Sequence, residues 1–341
     1  MENWVSEAQS EVRHILMIDG LDSIFLNDIR YDESLSSLVQ AAYSLNQKLR
    51  ERRATGSVVL LLRNDVFARI SLSLPDSQKM RDDFAFDLDW RVLSGQSGVN
   101  APLMQLVNTK AARAVGADAI QVLSYFPDYV EVGRQQKAPR KIPSFQYLLN
   151  MTRHTPRDLL RLFEEIRKVE GSGIYGSNVP LSQEVIREGV LQYSSKYFVG
   201  AISNEFAGYE GGPESATAAI NAIRSIGKQQ FDRAEFVAAL EALERAPDTD
   251  PDQLLRLLFF AGALGNYVGH RDESYMQFYH RRDDTEIYLR GAFILHHALI
   301  HAWGMRRTKG PSQKPVGGDP PPAPDAPRRQ RTRTRGGSPN S

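Results

Sequence analysis

The chain has 341 residues, with 42 Lys plus Arg against 41 Asp plus Glu, and no cysteine. That length allows two or three domains of about 100–200 residues each. An apolar share of 41% excludes a wholly disordered chain. A net charge of +1 excludes a globally basic nucleic-acid wrapper, and the missing cysteines exclude disulfides, thiolate zinc sites and cysteine nucleophiles.

Charge is unevenly spread. Residues 305–341 carry nine basic and two acidic groups, net +7; residues 173–304 carry eleven and seventeen, net −6; the first 172 carry 22 of each. No apolar run reaches the roughly 18 residues of a membrane span, and MENWVSEAQSEVRH is too polar for a signal peptide. The expectation is a soluble, cytoplasmic protein with no membrane contact.

In chain order, the run His14-Ile-Leu-Met-Ile18 before Asp19-Gly20 predicts a buried strand meeting a turn. Residues 34–53 put Leu35, Leu38, Val39, Ala42, Leu45 and Leu49 on one helical face. Ser57-Val-Val-Leu-Leu-Leu62 reads as a second buried strand, and Phe84–Trp90, alternating apolar with acidic residues, as a more exposed third. Two near-continuous apolar strands around a long amphipathic helix predict a parallel sheet with covering helices.

From residue 101 the pattern turns helical. Thr155 is the expected N-cap and Pro156 the first residue of the helix PRDLLRLFEEIRKV, with Asp158 favouring its positive end. A glycine-rich break at 170–176 precedes the helical stretches starting at Leu181, Ser215, Phe231 and Pro251. A strand at Ser274–Tyr279 and a closing helix over TEIYLRGAFILHHALIHAWGM complete the folded part. Helices followed by a short aromatic strand suggest a winged-helix-like module. After residue 305, eight prolines and the run Arg328–Arg335 predict a disordered basic tail.

The strongest chemical signal is Ile15–Ser23, ILMIDGLDS. A buried strand that ends in a carboxylate puts a ligand where nucleotides bind in open parallel sheets. Asp19 is then either a metal-side acid, holding Mg²⁺ through water, or a cap for the following helix; Asp22 is the second acid. Arg63, just past VVLLL, lies at the same sheet edge if the strands are parallel, and a cation there reads phosphate. Weaker candidates are His296, His297 and His301, of which the last two have i,i+4 metal-pair spacing, the acids Asp82, Asp83, Asp87 and Asp89, and His154. For these, core histidines, a solvated acidic face and a loop histidine are the better readings.

The ordered set IDGLDS, VVLLLRNDVF, DLDW and TPRDLLRLFEEI resembles the later part of a bacterial STAND/AAA+-type P-loop ATPase over roughly residues 10–304. The resemblance implies α/β plus α architecture: a partial P-loop sheet over 1–98, a helical lid over 99–172, a winged-helix-like domain over 173–304 and the tail over 305–341. It implies ATP and Mg²⁺ as ligands, Asp19 and Asp22 as the Walker B acids, and Arg63 and Arg157 as nucleotide sensors.

One departure is decisive for the expected activity. No G-x-x-x-x-G-K-[ST] occurs, and only fourteen residues precede Ile15, too few for the strand–loop–helix unit of ~30 residues that carries it. The chain thus reads as truncated inside the ATPase domain, with the VVLLL strand left as an open edge and ATP binding by this chain alone weak or absent. A partner or self-association is expected to supply what is missing. The alternative is a non-catalytic protein-interaction module that contacts nucleic acid nonspecifically through its tail; net −6 over 173–304 disfavours nucleic acid there.

Overall fold

The computed structural model describes residues 11–21, 29–90, 98–133, 140–174, 179–206, 211–244, 248–269, 274–281 and 286–305. The fold is mixed α/β, mostly helical, with small sheets and no barrel among the described residues. No helix among them is long and apolar enough to cross a membrane. The tail lies outside the described residues, as does Asp22.

Among the described residues the first elements are β1 (His14–Ile18), α1 (Ile29–Glu51), β2 (Gly56–Leu60), α2 (Asn64–Ser71) and α3 (Ser77–Phe84). Strands β1 and β2 pair in parallel, His14 opposite Gly56 and Ile18 opposite Leu60, as the apolar runs predict. The α1 stripe packs as its periodicity requires: Leu35 and Val39 join Val66, Ile70, Leu74 and Met80 in a small core. The expected buried character of β1 does not hold, since Ile15, Leu16 and Met17 are all more than half exposed. Nor is there a strand at Phe84–Trp90. Helix α3 runs through Phe84 and the following residues lie in no sheet. Phe86 and Leu88 are exposed, and Trp90 packs instead on the larger core. Alternation gives a chain the pattern of a strand, but among the described residues no neighbouring strand supplies the ladder hydrogen bonds.

Beyond residue 100 the elements are α4 (Pro102–Val115), the antiparallel hairpin β3 (Tyr129–Val132) and β4 (Arg140–Pro143), α5 (Ser144–Asn150) and α6 (Pro156–Gly171). Then come α7 (Gln183–Tyr193), a π-helical stretch Ser194–Phe198, α8 (Val199–Asn204), α9 (Gly212–Ile226), β5 (Gln230–Phe231), α10 (Arg233–Glu241) and α11 (Pro251–Phe260). The chain closes with β6 (Leu264–Gly269), β7 (Ser274–Gln277), β8 (Ala292–Leu295) and α12 (His297–Ala302). The four-stranded sheet has order β5-β8-β6-β7, antiparallel throughout.

The expected closing helix is therefore mostly absent. Ala-Phe-Ile-Leu is inserted as a strand between β5 and β6, and only His297–Ala302 is helical. A four-residue apolar run has no helical period of its own, and the two waiting strand edges decide its conformation. One buried cluster extends from Leu103 to Ile300, so the segments on either side of residue 172 share a core.

Helices α6 and α7 pack tightly at Gly189, where an added Cβ would stand 2.5 Å from Ile166 Cγ1 and 2.6 Å from its Cα. Gly→Ala normally favours a helix by about 1 kcal/mol. Here a backbone atom blocks the methyl, so Gly189→Ala is expected to destabilise by about 2 kcal/mol. A fall in the urea midpoint at unchanged slope checks this.

Candidate functional site

Asp19 is exposed at the carboxyl end of β1, and its Oδ1 accepts the Gly20 N–H at 2.7 Å. This bond to the next residue is not a helix cap, and residues 22–28, where a capped helix would begin, lie outside the described residues. Arg63 stands at the same edge, immediately before α2, because the parallel register carries Leu61 N–H to Ile18 O. Its Nη1 is 3.1 Å from Glu205 Oε2. Glu205 follows α8, 142 positions along the chain.

The same carboxylate continues inward. Glu205 Oε1 accepts from Arg153 Nη1 at 3.1 Å, and Arg153 Nε donates to Asp158 Oδ2 at 2.9 Å. Asp158, in the first turn of α6, is fully buried. It also accepts from the Arg153 backbone N–H, Arg153 Nη2 and the Tyr197 hydroxyl, each at 3.1 Å. Burial alone would raise the Asp158 carboxyl, but the hydrogen bonds and charge of Arg153 hold it below its usual value. For Arg153, burial works against the charge; the bond to Asp158 and the charges of Asp158 and Glu205 outweigh it and keep the guanidinium protonated.

The local sequence explains this placement. Thr155 caps α6 with its side chain accepting the Asp158 N–H at 3.2 Å, and Pro156 is the first helical residue, as expected. This turns the Asp158 side chain back toward Arg153. The π-helical stretch adds a residue to its turn, and Tyr193, Tyr197 and Phe198 reach the same cluster: Phe198 lies beneath Arg153 at 5.9 Å and stacks on His296 at 4.5 Å.

Below the ion pairs lie three histidines. His154, at φ +56°, sits 5.1 Å from His280 between ring centroids, and His280 is 5.5 Å from His296. His296 is satisfied: Nδ1 accepts the Ala298 N–H and Nε2 faces Thr152 O at 3.2 Å. Neither ring nitrogen of His280 has a partner, nor has His154 Nε2. Burial first, then Arg281, lowers His154 to about 3. Burial, then the neighbouring His154 and His296, pushes His280 well below its ordinary value. Arg281 binds Asn150 Oδ1 at 3.1 Å and lies over Phe278.

The structure thus brings Arg63 and the Asp158 helix into one network, through two residues the sequence did not single out, Arg153 and Glu205. Arg157 is exposed. His297 and His301 lie on α12 away from any metal-binding group, since no cluster of three His, Asp or Glu able to hold a metal occurs among the described residues. Of the acidic group, Asp82 accepts from Gln78, Asp87 pairs with Arg81, and all four acids are exposed. The open edge expected on β2 is closed at its centre: Asn46 of α1 donates to Val58 O and accepts from Val58 N–H, both at 2.8 Å. No family model, curated protein or solved structure matches this chain.

Proposed function

We propose that the chain is the sensor-bearing portion of a nucleotide-dependent conformational switch of the STAND/AAA+ P-loop type. The observation that supports this most is the continuous path Arg63–Glu205–Arg153–Asp158. It runs from the carboxyl edge of the parallel strands to the first turn of the PRDL helix. Glu205 takes one bond from each arginine, so an anion that draws Arg63 away leaves it to Arg153 alone. The position of one exposed side chain is thereby coupled to the helical region.

The residues present do not by themselves amount to a site for ATP and Mg²⁺. Asp19 offers a single exposed carboxylate, Asp22 lies outside the described residues, Arg63 is already engaged, and the sequence contains no phosphate-cradling loop. On this reading a partner or a further segment supplies the loop.

A second reading, a non-catalytic protein-interaction module, is favoured by α11. The order α9-β5-α10-α11-β6-β7-β8, with β8 between β5 and β6, supports reading this region as winged-helix-like. In such modules that third helix commonly reads nucleic acid. Here the apolar side of α11 is taken up by the chain's own core, and Asp250 and Asp252 at its start repel phosphate, which disfavours nucleic acid.

Titration calorimetry and phosphate release test the switch. The 341-residue chain is expected to show no ATP affinity tighter than about 1 mM. A version lengthened by upstream coding sequence is expected to bind and hydrolyse ATP, with Asp19→Ala lowering turnover at least about 100-fold. A folded but inert lengthened version would favour the interaction module instead.

A further inference from the structure

The β1–β2 sheet has two outer edges, and they differ. On β2, the outward-facing backbone of Val58 is occupied by the Asn46 amide. On β1, His14 N–H bonds Thr55 O at 2.8 Å and Ile18 O accepts from Leu61 N–H at 2.9 Å. In a parallel ladder this assigns residues 14, 16 and 18 to β2 and turns the backbone groups of Ile15 and Met17 outward. Ile15, Leu16 and Met17 are 52%, 58% and 63% exposed. Three consecutive residues of β1 are exposed and apolar, and no second strand lies along its outer edge among the described residues, the condition under which a strand recruits another chain.

We propose that β1 pairs antiparallel with β1 of a second copy, about a two-fold axis through Leu16, forming a continuous sheet β2–β1–β1–β2. Charge complementarity selects this occupant and this register. Outward-facing residues must oppose one another, which permits axes through Ile15, Leu16 or Met17. An axis through Ile15 sets Arg13 against Met17, and one through Met17 sets Asp19 against Ile15. Only the axis through Leu16 sets Arg13 against Asp19 of the second copy at both ends, with Ile15 opposite Met17 between them. Arg13 and Asp19 are both exposed. Opposite charges directly across an antiparallel pair stabilise it, and an isologous contact of this kind closes as a dimer. The inference concerns the edge of β1 alone and does not depend on nucleotide.

The test is light scattering of the full chain during size exclusion, at concentrations up to about 50 µM. The expected result is a concentration-dependent dimer. Arg13→Asp and Asp19→Arg should each give monomers, and the double variant Arg13→Asp/Asp19→Arg should restore the dimer, which excludes misfolding as the cause of the losses. Since the chain has no cysteine, Leu16→Cys adds a register test. Facing residues in a non-hydrogen-bonded pair stand about 4.5 Å apart at Cα, within disulfide reach. Oxidation should therefore cross-link Leu16→Cys rapidly and Ile15→Cys poorly. A monomeric native chain, charge variants that still dimerise, or preferential cross-linking through Ile15→Cys would each overturn the proposal.

Discussion

Asp158→Asn is expected to destabilise the protein by about 3–5 kcal/mol, among the largest effects of any single substitution. The carboxylate is fully buried and accepts three bonds from Arg153 and one from Tyr197. An asparagine of the same size has one acceptor oxygen in place of two and no charge, so a mostly buried guanidinium would be left with only Glu205, itself partly exposed. The cost is mainly that of an uncompensated buried cation, not the net worth of the pair. Two comparisons separate these terms. Arg63→Ala breaks an ion pair whose side chains are 42% and 31% exposed, and should cost no more than about 1 kcal/mol. Arg153→Met combined with Asp158→Leu removes both buried charges and should be markedly less damaging than Asp158→Asn, a non-additivity visible in urea unfolding. A loss below about 1 kcal/mol for Asp158→Asn would mean that the network does not hold α6 in place.

Much of the local structure was legible because it rests on local physics. The parallel pair β1–β2 follows from two short apolar runs, the α1 core face from its period, and the start of α6 from Thr155 and Pro156. The misses all involve partners remote in sequence. Phe84–Trp90 has strand alternation but no strand to pair with among the described residues, whereas Ala292–Leu295 has helical neighbours and becomes a strand because β5 and β6 flank it. The network was invisible for the same reason: Glu205 reaches Arg63 and Arg153 across 142 and 52 residues, and no local pattern marks it. A faint signal for Arg153 existed. A Thr cap with an Asp three residues on presents that carboxylate to the chain just before the helix, where the Arg sits. The closing of β2 by Asn46 likewise needs the fold, since an amide in the middle of an amphipathic helix usually faces water.

Lowering the pH from about 7 to 4 is expected to destabilise the protein steeply, with the buried histidines as the principal cause. In the unfolded chain each titrates near 6.5. In the folded chain His154 is lowered to about 3, and His280 and His296 lie well below their ordinary value, all three principally through burial. Arg281 and Arg153 face the cluster with positive charge, which reinforces the effect on His280; Asp158 opposes it weakly at His154. The depressed folded values mean that the unfolded state binds more protons below pH 6.5. Stability is therefore complete above that pH and falls by about 1.4 kcal/mol per pH unit for each histidine involved. Asp158, whose folded value is also lowered, adds loss in the same direction below about pH 4. His280 isolates the mechanism, because neither of its ring nitrogens has a partner. His280→Phe removes a titrating group without removing a hydrogen bond. It should leave stability at pH 7.5 within about 1 kcal/mol of the native protein, and reduce the slope below pH 6.5 by up to about 1.4 kcal/mol per unit. Urea midpoints measured across that range decide the matter: parallel curves for the two proteins would show that His280 takes up its proton in the folded state as readily as in water, contrary to its burial against His154 and His296.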